Sequence, residues 1–301
     1  MENETAASLM QAAVTVAPDA SLRQCARLLR DHDVRYLPVV DSAGRLLAMV
    51  TDEVVFELGG FVHDTWVPFE TESSSLTAIA LGDYASLEIQ RGTPGSRVLE
   101  LLAGPADSLV VVDSKGRVEG IITEHDGVRL GTLILPFDVR VDRDNTSTVP
   151  TANTNTPGRT LFDRMLAEQV RYIVIEREGQ PVGVVSFREL IIAGIAWGRS
   201  LTAGELIEGR EMHTAPEGTR LRFAAAQMAH LDVGCLPLVD SEGSVVSVVT
   251  RSDICMASSR TIYVPDPYAE WPTQRLGDVH AQNLSGDALA LTARIERDVR
   301  V

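Results

Sequence analysis

Three short segments carry a hydroxyl residue with a carboxylate three positions later: Thr123-Glu124-His125-Asp126, Ser186-Phe187-Arg188-Glu189 and Thr250-Arg251-Ser252-Asp253. A fourth, Thr51-Asp52-Glu53-Val54, keeps the hydroxyl but has valine in the carboxylate's place. Two chemistries suit this spacing. At the start of a helix the hydroxyl caps the first N–H groups and the acid reaches back, a capping box that binds nothing. The same groups also suit a ligand. A carboxylate accepts two hydrogen bonds from a cis-diol, a hydroxyl answers a phosphate oxygen, and open N–H groups at a helix start favour an anion. His125, Arg188 and Arg251 lie within the segments as cations able to neutralise phosphate charge. Catalytic and metal chemistry lack their parts: the six histidines form no His-x-x-x-His pair and have no nucleophile partner. His32 and His230 close corresponding helices, where a histidine complements the C-terminal end. Gly92 to Arg97 lacks the Gly-Lys-Ser/Thr ending of a phosphate loop and reads as a turn and helix cap.

The segments close four copies of one pattern, clearest from Leu236 to Asp253. An apolar run ends in an acid, glycine follows three positions later, and the hydroxyl comes ten residues after the acid. The copies are Asp41/Gly44/Thr51, Asp113/Gly116/Thr123, Glu176/Gly179/Ser186 and Asp240/Gly243/Thr250. The hydroxyls are 72, 63 and 64 residues apart, so each copy is long enough to be a small module. Each reads as helix, hairpin, helix. In the first, Leu22, Cys25, Ala26 and Leu29 make one apolar face, Tyr36–Val40 and Leu46–Val50 flank a turn, Asp52–Leu58 closes the unit, and Val14–Ala17 is an extra short strand. The second has Val98, Leu101 and Leu102 on its helix, strands Leu109–Val112 and Val118–Ile122, and a helix from Glu124. The third has Leu161 and Met165, strands Tyr172–Ile175 and Val182–Val185, and a helix Arg188–Ala196. The fourth has Leu221, Ala224, Ala225 and Met228, then a helix Ser252–Ser259. Between units, Phe61 to Gly95 reads as irregular and Asn145 to Gly158 as a polar surface loop. Beyond Tyr263, Leu289, Ile295 and Val299 could dock on the body. A unit of about fifty residues with two or three strands cannot bury its apolar face alone, so the units must pair.

Composition narrows the class. With 301 residues and 45% hydrophobic content the chain can build two ordinary cores. A net charge of −15 argues against a broad nucleic-acid or anionic-membrane surface. Cys25, Cys235 and Cys255 are odd in number and widely spaced, which suits buried thiols in a reducing cytosol. Neither a signal peptide nor an apolar run of transmembrane length is expected.

Leu37-Pro38-Val39-Val40-Asp41-Ser42-Ala43-Gly44 and Leu236-Pro237-Leu238-Val239-Asp240-Ser241-Glu242-Gly243, set in helix–hairpin–helix units over residues 8 to 260, resemble the cystathionine-β-synthase-type (CBS) domain. The resemblance implies an α/β (α+β) chain of tandem CBS repeats paired into two Bateman modules, similar in layout to the gamma subunit of AMP-activated protein kinase. The modules are expected at residues 6–132 (units one and two) and 133–262 (three and four), with a tail at 263–301. It further implies a non-catalytic, cytoplasmic, energy-sensing regulator that binds AMP, ADP, ATP or a related adenosyl ligand between paired units and signals to a protein partner or a second copy. The nucleotide is then a regulatory ligand, with magnesium only as its companion, and there is no resident cofactor. In such a site Asp126 and Asp253 receive the ribose, Glu189 stands in with a longer carboxylate, and Thr123, Ser186 and Thr250 face phosphate with His125, Arg188 and Arg251. Val54 leaves the first unit empty or structural, so each half carries one good site and one degraded site. The competing expectation is an interaction scaffold whose clefts are closed by their own side chains.

Overall fold

In a computed structural model of the chain, the residues described are 4–62, 65–68, 77–82, 87–104, 106–141, 150–194 and 199–262. Unit one contains α1 (Ala6–Leu9), β1 (Gln11–Ala12), α2 (Leu22–Asp31), β2 (Tyr36–Val40), β3 (Leu46–Thr51) and α3 (Asp52–Glu57), followed by the hairpin β4 (Gly59–Val62) and β5 (Thr65–Pro68). Unit two has α4 (Ala78–Leu81), β6 (Leu87–Gln90), α5 (Gly95–Leu102), β7 (Ser108–Val112), β8 (Val118–Thr123) and α6 (Glu124–Ile134). Unit three has β9 (Thr151–Asn153), α7 (Gly158–Glu168), β10 (Tyr172–Arg177), β11 (Gln180–Ser186) and α8 (Phe187–Ile192). Unit four has α9 (Ala203–Leu206), β12 (Ala215–Pro216), α10 (Leu221–Leu231), β13 (Cys235–Val239), β14 (Val245–Thr250) and α11 (Arg251–Ile262).

The repeated acid and glycine have separate jobs in the hairpin. Asp41 accepts the N–H groups of Ala43 and Arg45 at 2.8 and 2.9 Å, and Asp113 those of Lys115 and Arg117 at the same distances. Asp240 accepts Glu242 and Ser244, both at 2.9 Å. The chain then turns through a left-handed residue, with φ of +80° at Gly44, +76° at Gly116 and +86° at Gly243, a region that penalises any side chain. Unit three keeps the spacing with different parts: Arg177 pairs with Gln180 across Glu178 and Gly179, both at positive φ, as in a two-residue type I′ turn. All four hairpins shift register at one equivalent place, between Val39/Val40, Val111/Val112, Ile175/Glu176 and Leu238/Val239.

The third strand of each sheet precedes the first helix and runs parallel to the hairpin: β6 beside β7, β9 beside β10, and β12 beside β13. In unit one the strand expected at Val14–Ala17 shrinks to a single bridge, Val16 to Val39. Two further expectations need correcting. The stretch expected to be irregular contains the β4–β5 hairpin, α4 and β6, and the expected polar loop contains β9. Their turn-rich composition hid short runs such as Leu87–Gln90 and Thr151–Asn153, whose backbone groups are paired by a neighbouring strand rather than by local pattern. Helix α8 also ends at Ile192, and the last residues of the expected helix, Ile195 and Ala196, lie outside the described residues. The closing helix of unit four is longer than expected, Arg251–Ile262.

Each leading segment crosses to the neighbouring unit. β1 pairs with β8, Gln11 opposite Ile121, making a fourth strand on the unit-two sheet. α4 hydrogen-bonds unit one from Ala78 N–H to the Ala20 carbonyl, and Ala203 of α9 reaches the Thr156 carbonyl of unit three, both at 2.8 Å. Units one and two pack sheet to sheet through Tyr36, Met49, Val110 and Val112; units three and four do so through Val174, Cys235 and Val248. Helices join the pairs crosswise. One core merges Leu22, Leu29 and Val55 of unit one with Leu161, Met165 and Leu190 of unit three. Another merges Val128 and Leu135 of unit two with Leu221, Ala225 and Ile254 of unit four. The four residues of each expected apolar stripe, Leu22/Cys25/Ala26/Leu29 and Leu221/Ala224/Ala225/Met228, are all buried, each large one contributing about 2 kcal/mol of burial. The described residues thus close into a ring of four units, two sheet contacts alternating with two helix contacts. Leu289, Ile295 and Val299 lie outside the described residues.

Candidate functional site

The centre of the ring is a cavity of about 910 Å3, lined by all four units. Thr123, His125, Asp126, Ser186, Arg188, Glu189 and Arg251 face it, so seven of the nine expected site residues converge there. Thr250 and Asp253 are not among its lining residues.

Every hydroxyl–carboxylate pair is built as a helix cap. Asp126, 5% exposed, accepts the Thr123 N–H at 3.0 Å and the Thr123 hydroxyl at 3.3 Å. Asp253 accepts the Thr250 N–H at 2.8 Å and hydroxyl at 2.7 Å. Glu189 accepts the Ser186 N–H at 2.7 Å and the Ser186 hydroxyl accepts the Glu189 N–H at 3.3 Å. Capping fixes the rotamer of each carboxylate but uses mainly one oxygen. In units two and three the second oxygen meets a donor from a crossing segment. Asp126 Oδ1 accepts Gln11 Nε2 at 3.3 Å, and Glu189 Oε1 is taken by the Arg210 guanidinium. These two contacts are equivalent: Met10 and Gln11 lie over Gly120 of unit two, and Ile207 lies over Gly183 of unit three. A long neutral amide contact over Asp126 is a weaker competitor for a ribose than a charge-assisted one over Glu189. In unit one Thr51 caps Val54 N–H at 3.4 Å, and no carboxylate reaches back.

The cations expected to meet phosphate are paired with carboxylates. Arg188 contacts Asp33 at 3.1 Å and Asp52 at 3.2 Å, both in unit one. His125 Nδ1 and Arg251 share Asp232, at 3.1 and 3.0 Å. The Ser252 hydroxyl donates to Glu124 of unit two, whose carboxyl is raised above the usual range chiefly by burial. Arg188–Asp33, Arg188–Asp52, His125–Asp232 and Ser252–Glu124 all cross from one sheet-paired half to the other. Six arginines line the cavity, four of them unforeseen: Arg35, Arg129, Arg171 and Arg210. A signal for two of these was present, since Arg35-Tyr36 and Arg171-Tyr172 repeat at the head of the first hairpin strand in units one and three. Arg35 and Arg171 share Glu53, at 3.3 and 2.9 Å. In units two and four the same place holds Asp107-Ser108 and Gly234-Cys235. A Cβ on Gly234 would lie 2.1 Å from the Tyr172 hydroxyl, so the glycine makes room for that ring.

A family profile described as the CBS domain matches residues 6–58, 87–130, 141–195 and 204–260, one match for each unit of the ring. The chain belongs to the CBS domain family. Its four CBS repeats form two sheet-paired Bateman modules. An uncharacterised protein of Methanocaldococcus jannaschii, MJ1225, is 24% identical over 264 residues, 80% of this chain and 93% of that one. The crystal structure of MJ1225, described as a proposed archaeal homologue of γ-AMPK, superposes with a TM-score of 0.68 at 18% identity, covering 84% of this chain and 99% of that one. An uncharacterised conserved protein from Pyrococcus horikoshii superposes with a TM-score of 0.59 at 18% identity, covering 85% and 100%. Inosine-5'-monophosphate dehydrogenase of Mycobacterium tuberculosis is 29% identical over 130 residues, 43% of this chain and only 22% of the enzyme. The four profile matches bear out the four-repeat expectation, and the likeness to MJ1225 is one of fold.

Among the described residues no group of three or more His, Cys, Asp or Glu is placed to hold a metal ion. No helix among them is long and apolar enough to cross a membrane. The three cysteines are free and buried, and burial pushes the Cys25 thiol up to about 11 and those of Cys235 and Cys255 still higher.

Proposed function

We propose that the chain is a cytoplasmic, non-catalytic regulatory protein that binds adenine nucleotides in clefts opening on the central cavity and reports their occupancy to a protein partner. The observation that carries this reading is the convergence on one cavity of capped carboxylates from units two and three with six arginines from all four units. In the unit-two site Asp126 receives the ribose once Gln11 yields, and Thr123 and His125 face the phosphates. In the unit-three site Glu189 must first part from Arg210. Asp253 with Thr250 serves unit four, away from the lining of the cavity, and the first unit, with Val54, takes no ribose. Occupancy is reported because the phosphate-facing cations are the ones that tie the two modules together. A phosphate competing for Arg188 or His125 weakens Arg188–Asp33 or His125–Asp232, and a preference of about 1.4 kcal/mol for the loosened arrangement shifts the balance tenfold. AMP, ADP and ATP are the leading candidates, with energy sensing as the physiological use.

One observation favours a second reading. Both oxygens of Asp126 and of Glu189 already have donors within the chain, as a scaffold with self-closed clefts would require. Thermal shifts of the full chain with AMP, ADP, ATP and S-adenosylmethionine separate the two. Nucleotide binding predicts a concentration-dependent rise with at least one of them. A flat response to all four, with a protein partner co-purifying, would favour the scaffold.

A further inference from the structure

Asp52 is the one carboxylate of the four junction segments that is buried without a capping role. It follows Thr51 directly, where units two to four have Glu124, Phe187 and Arg251. It is 2% exposed and lies between two guanidinium groups from different modules: Arg35 Nε of unit one at 3.6 Å and Arg188 Nε of unit three at 3.2 Å from Oδ2. Its other oxygen accepts the Glu53 N–H at 3.0 Å. The charges are close but poorly aligned. Arg35 Nε, Arg188 Nε and Asp52 Oδ2 are each buried without a hydrogen bond of good geometry. Here the one remaining carboxylate oxygen does not present an aligned acceptor to both guanidinium edges. A tetrahedral phosphoryl group, with three acceptor oxygens, can.

We propose that Arg35 and Arg188 form a phosphoryl-binding site between units one and three that the chain fills with its own Asp52. The first unit is then occupied by a tethered anion rather than simply degraded. Asp52 fastens one module to the other through Arg188, and a phosphate reaching that arginine from the cavity must displace it. This last consequence rests on the nucleotide reading above; the site itself does not.

The test uses the full chain as wild type, Asp52→Asn and Asp52→Asn/Arg188→Gln, each melted in chloride, inorganic phosphate or AMP at equal ionic strength. Asp52→Asn should melt about 5–10 °C lower in chloride, because two half-buried cations lose a shared, buried partner. Inorganic phosphate should return at least 3 °C more to Asp52→Asn than it adds to wild type, about the shift expected for a ligand at 10 to 100 times its Kd. The double variant should lose that extra gain. Should Asp52→Asn not fold in chloride, its refolding yield from urea with and without phosphate is the readout. An equal phosphate response, or equal refolding yield, across the three proteins overturns the proposal. A phosphate gain with no AMP gain leaves the site standing and counts against the nucleotide reading instead.

Discussion

Gly127, in the first turns of α6, tests how the two modules are joined. A Cβ built on it lies 2.5 Å from Cys255 Sγ of α11 and 3.2 Å from Leu102 Cδ1, well inside ordinary contact. Gly131, one turn on, would meet Ser258 Oγ at 2.8 Å and Ile254 Cγ2 at 2.9 Å. Helices of units two and four therefore approach closely because glycines face side chains. Two effects oppose each other in Gly127→Ala. Helix propensity favours alanine by about 1 kcal/mol. Forcing a methyl group against a fully buried sulfur costs roughly 1–3 kcal/mol, since the interior is packed and neither helix can shift alone. The net expectation is a loss of about 1 kcal/mol. Cys255→Ala removes the sulfur and costs about 1 kcal/mol for the void. In the double variant the new methyl enters the vacated space, so the two losses should not add, leaving a coupling of roughly 1–2 kcal/mol. Urea unfolding of wild type, both single variants and the double variant measures each term from the midpoint at constant slope. Additivity within about 0.5 kcal/mol, or a Gly127→Ala variant more stable than wild type, would refute the close helix contact.

The hairpin glycines separate backbone strain from crowding. Gly116→Ala should cost about 1 kcal/mol, since a Cβ there meets nothing within 4 Å, and Gly243→Ala should cost more because Gln180 Oε1 lies 2.4 Å from its Cβ position; thermal unfolding of both ranks them. The Asp113 carboxyl is lowered from 3.8 to about 2, first by the Arg117 N–H and then by the Arg117 side chain. Its contribution to stability is therefore complete above 3.8 and lost as pH falls toward 2, so Asp113→Asn should show a shallower loss of stability across that window, read from urea midpoints at each pH. The native protein should expose no thiol to a disulfide reagent at pH 8 and all three after unfolding, because Cys25, Cys235 and Cys255 are buried with raised values.

Much of the ring was legible because a repeat offers four views of one design. The acid, glycine and hydroxyl kept their spacing, and the structure gives each a physical reason: an N–H-accepting turn, a left-handed residue and a helix cap. The 3.6-residue stripes marked the buried faces of α2 and α10 without error. Parallel third strands stayed hidden because runs of two to four residues such as Ala215–Pro216 carry no periodic signal. Crossing segments were also invisible, since nothing in Met10-Gln11 or Ile207 says that it packs on another unit's glycine. The site was half legible. Asp126, Glu189, Arg188 and His125 stood out by position, whereas Gln11, Arg210 and Asp232 became relevant only when folding brought them against those residues. Asp52 carries no signal of its own beside Val54, since nothing local marks it as the most deeply buried charge of its segment.

Titration calorimetry of AMP and ATP against wild type, Asp126→Asn and Asp253→Asn is the most direct measurement of the nucleotide-sensor proposal. Asparagine retains an oxygen for the Thr123 or Thr250 N–H, so each cap should survive at a cost below about 1 kcal/mol, while the charged acceptor for a ribose diol is lost. The expected result is binding by wild type below millimolar, with each variant weakening or losing one class of site by at least about tenfold, or 1.4 kcal/mol. No binding below millimolar by wild type, or unchanged affinities in both variants, would contradict it.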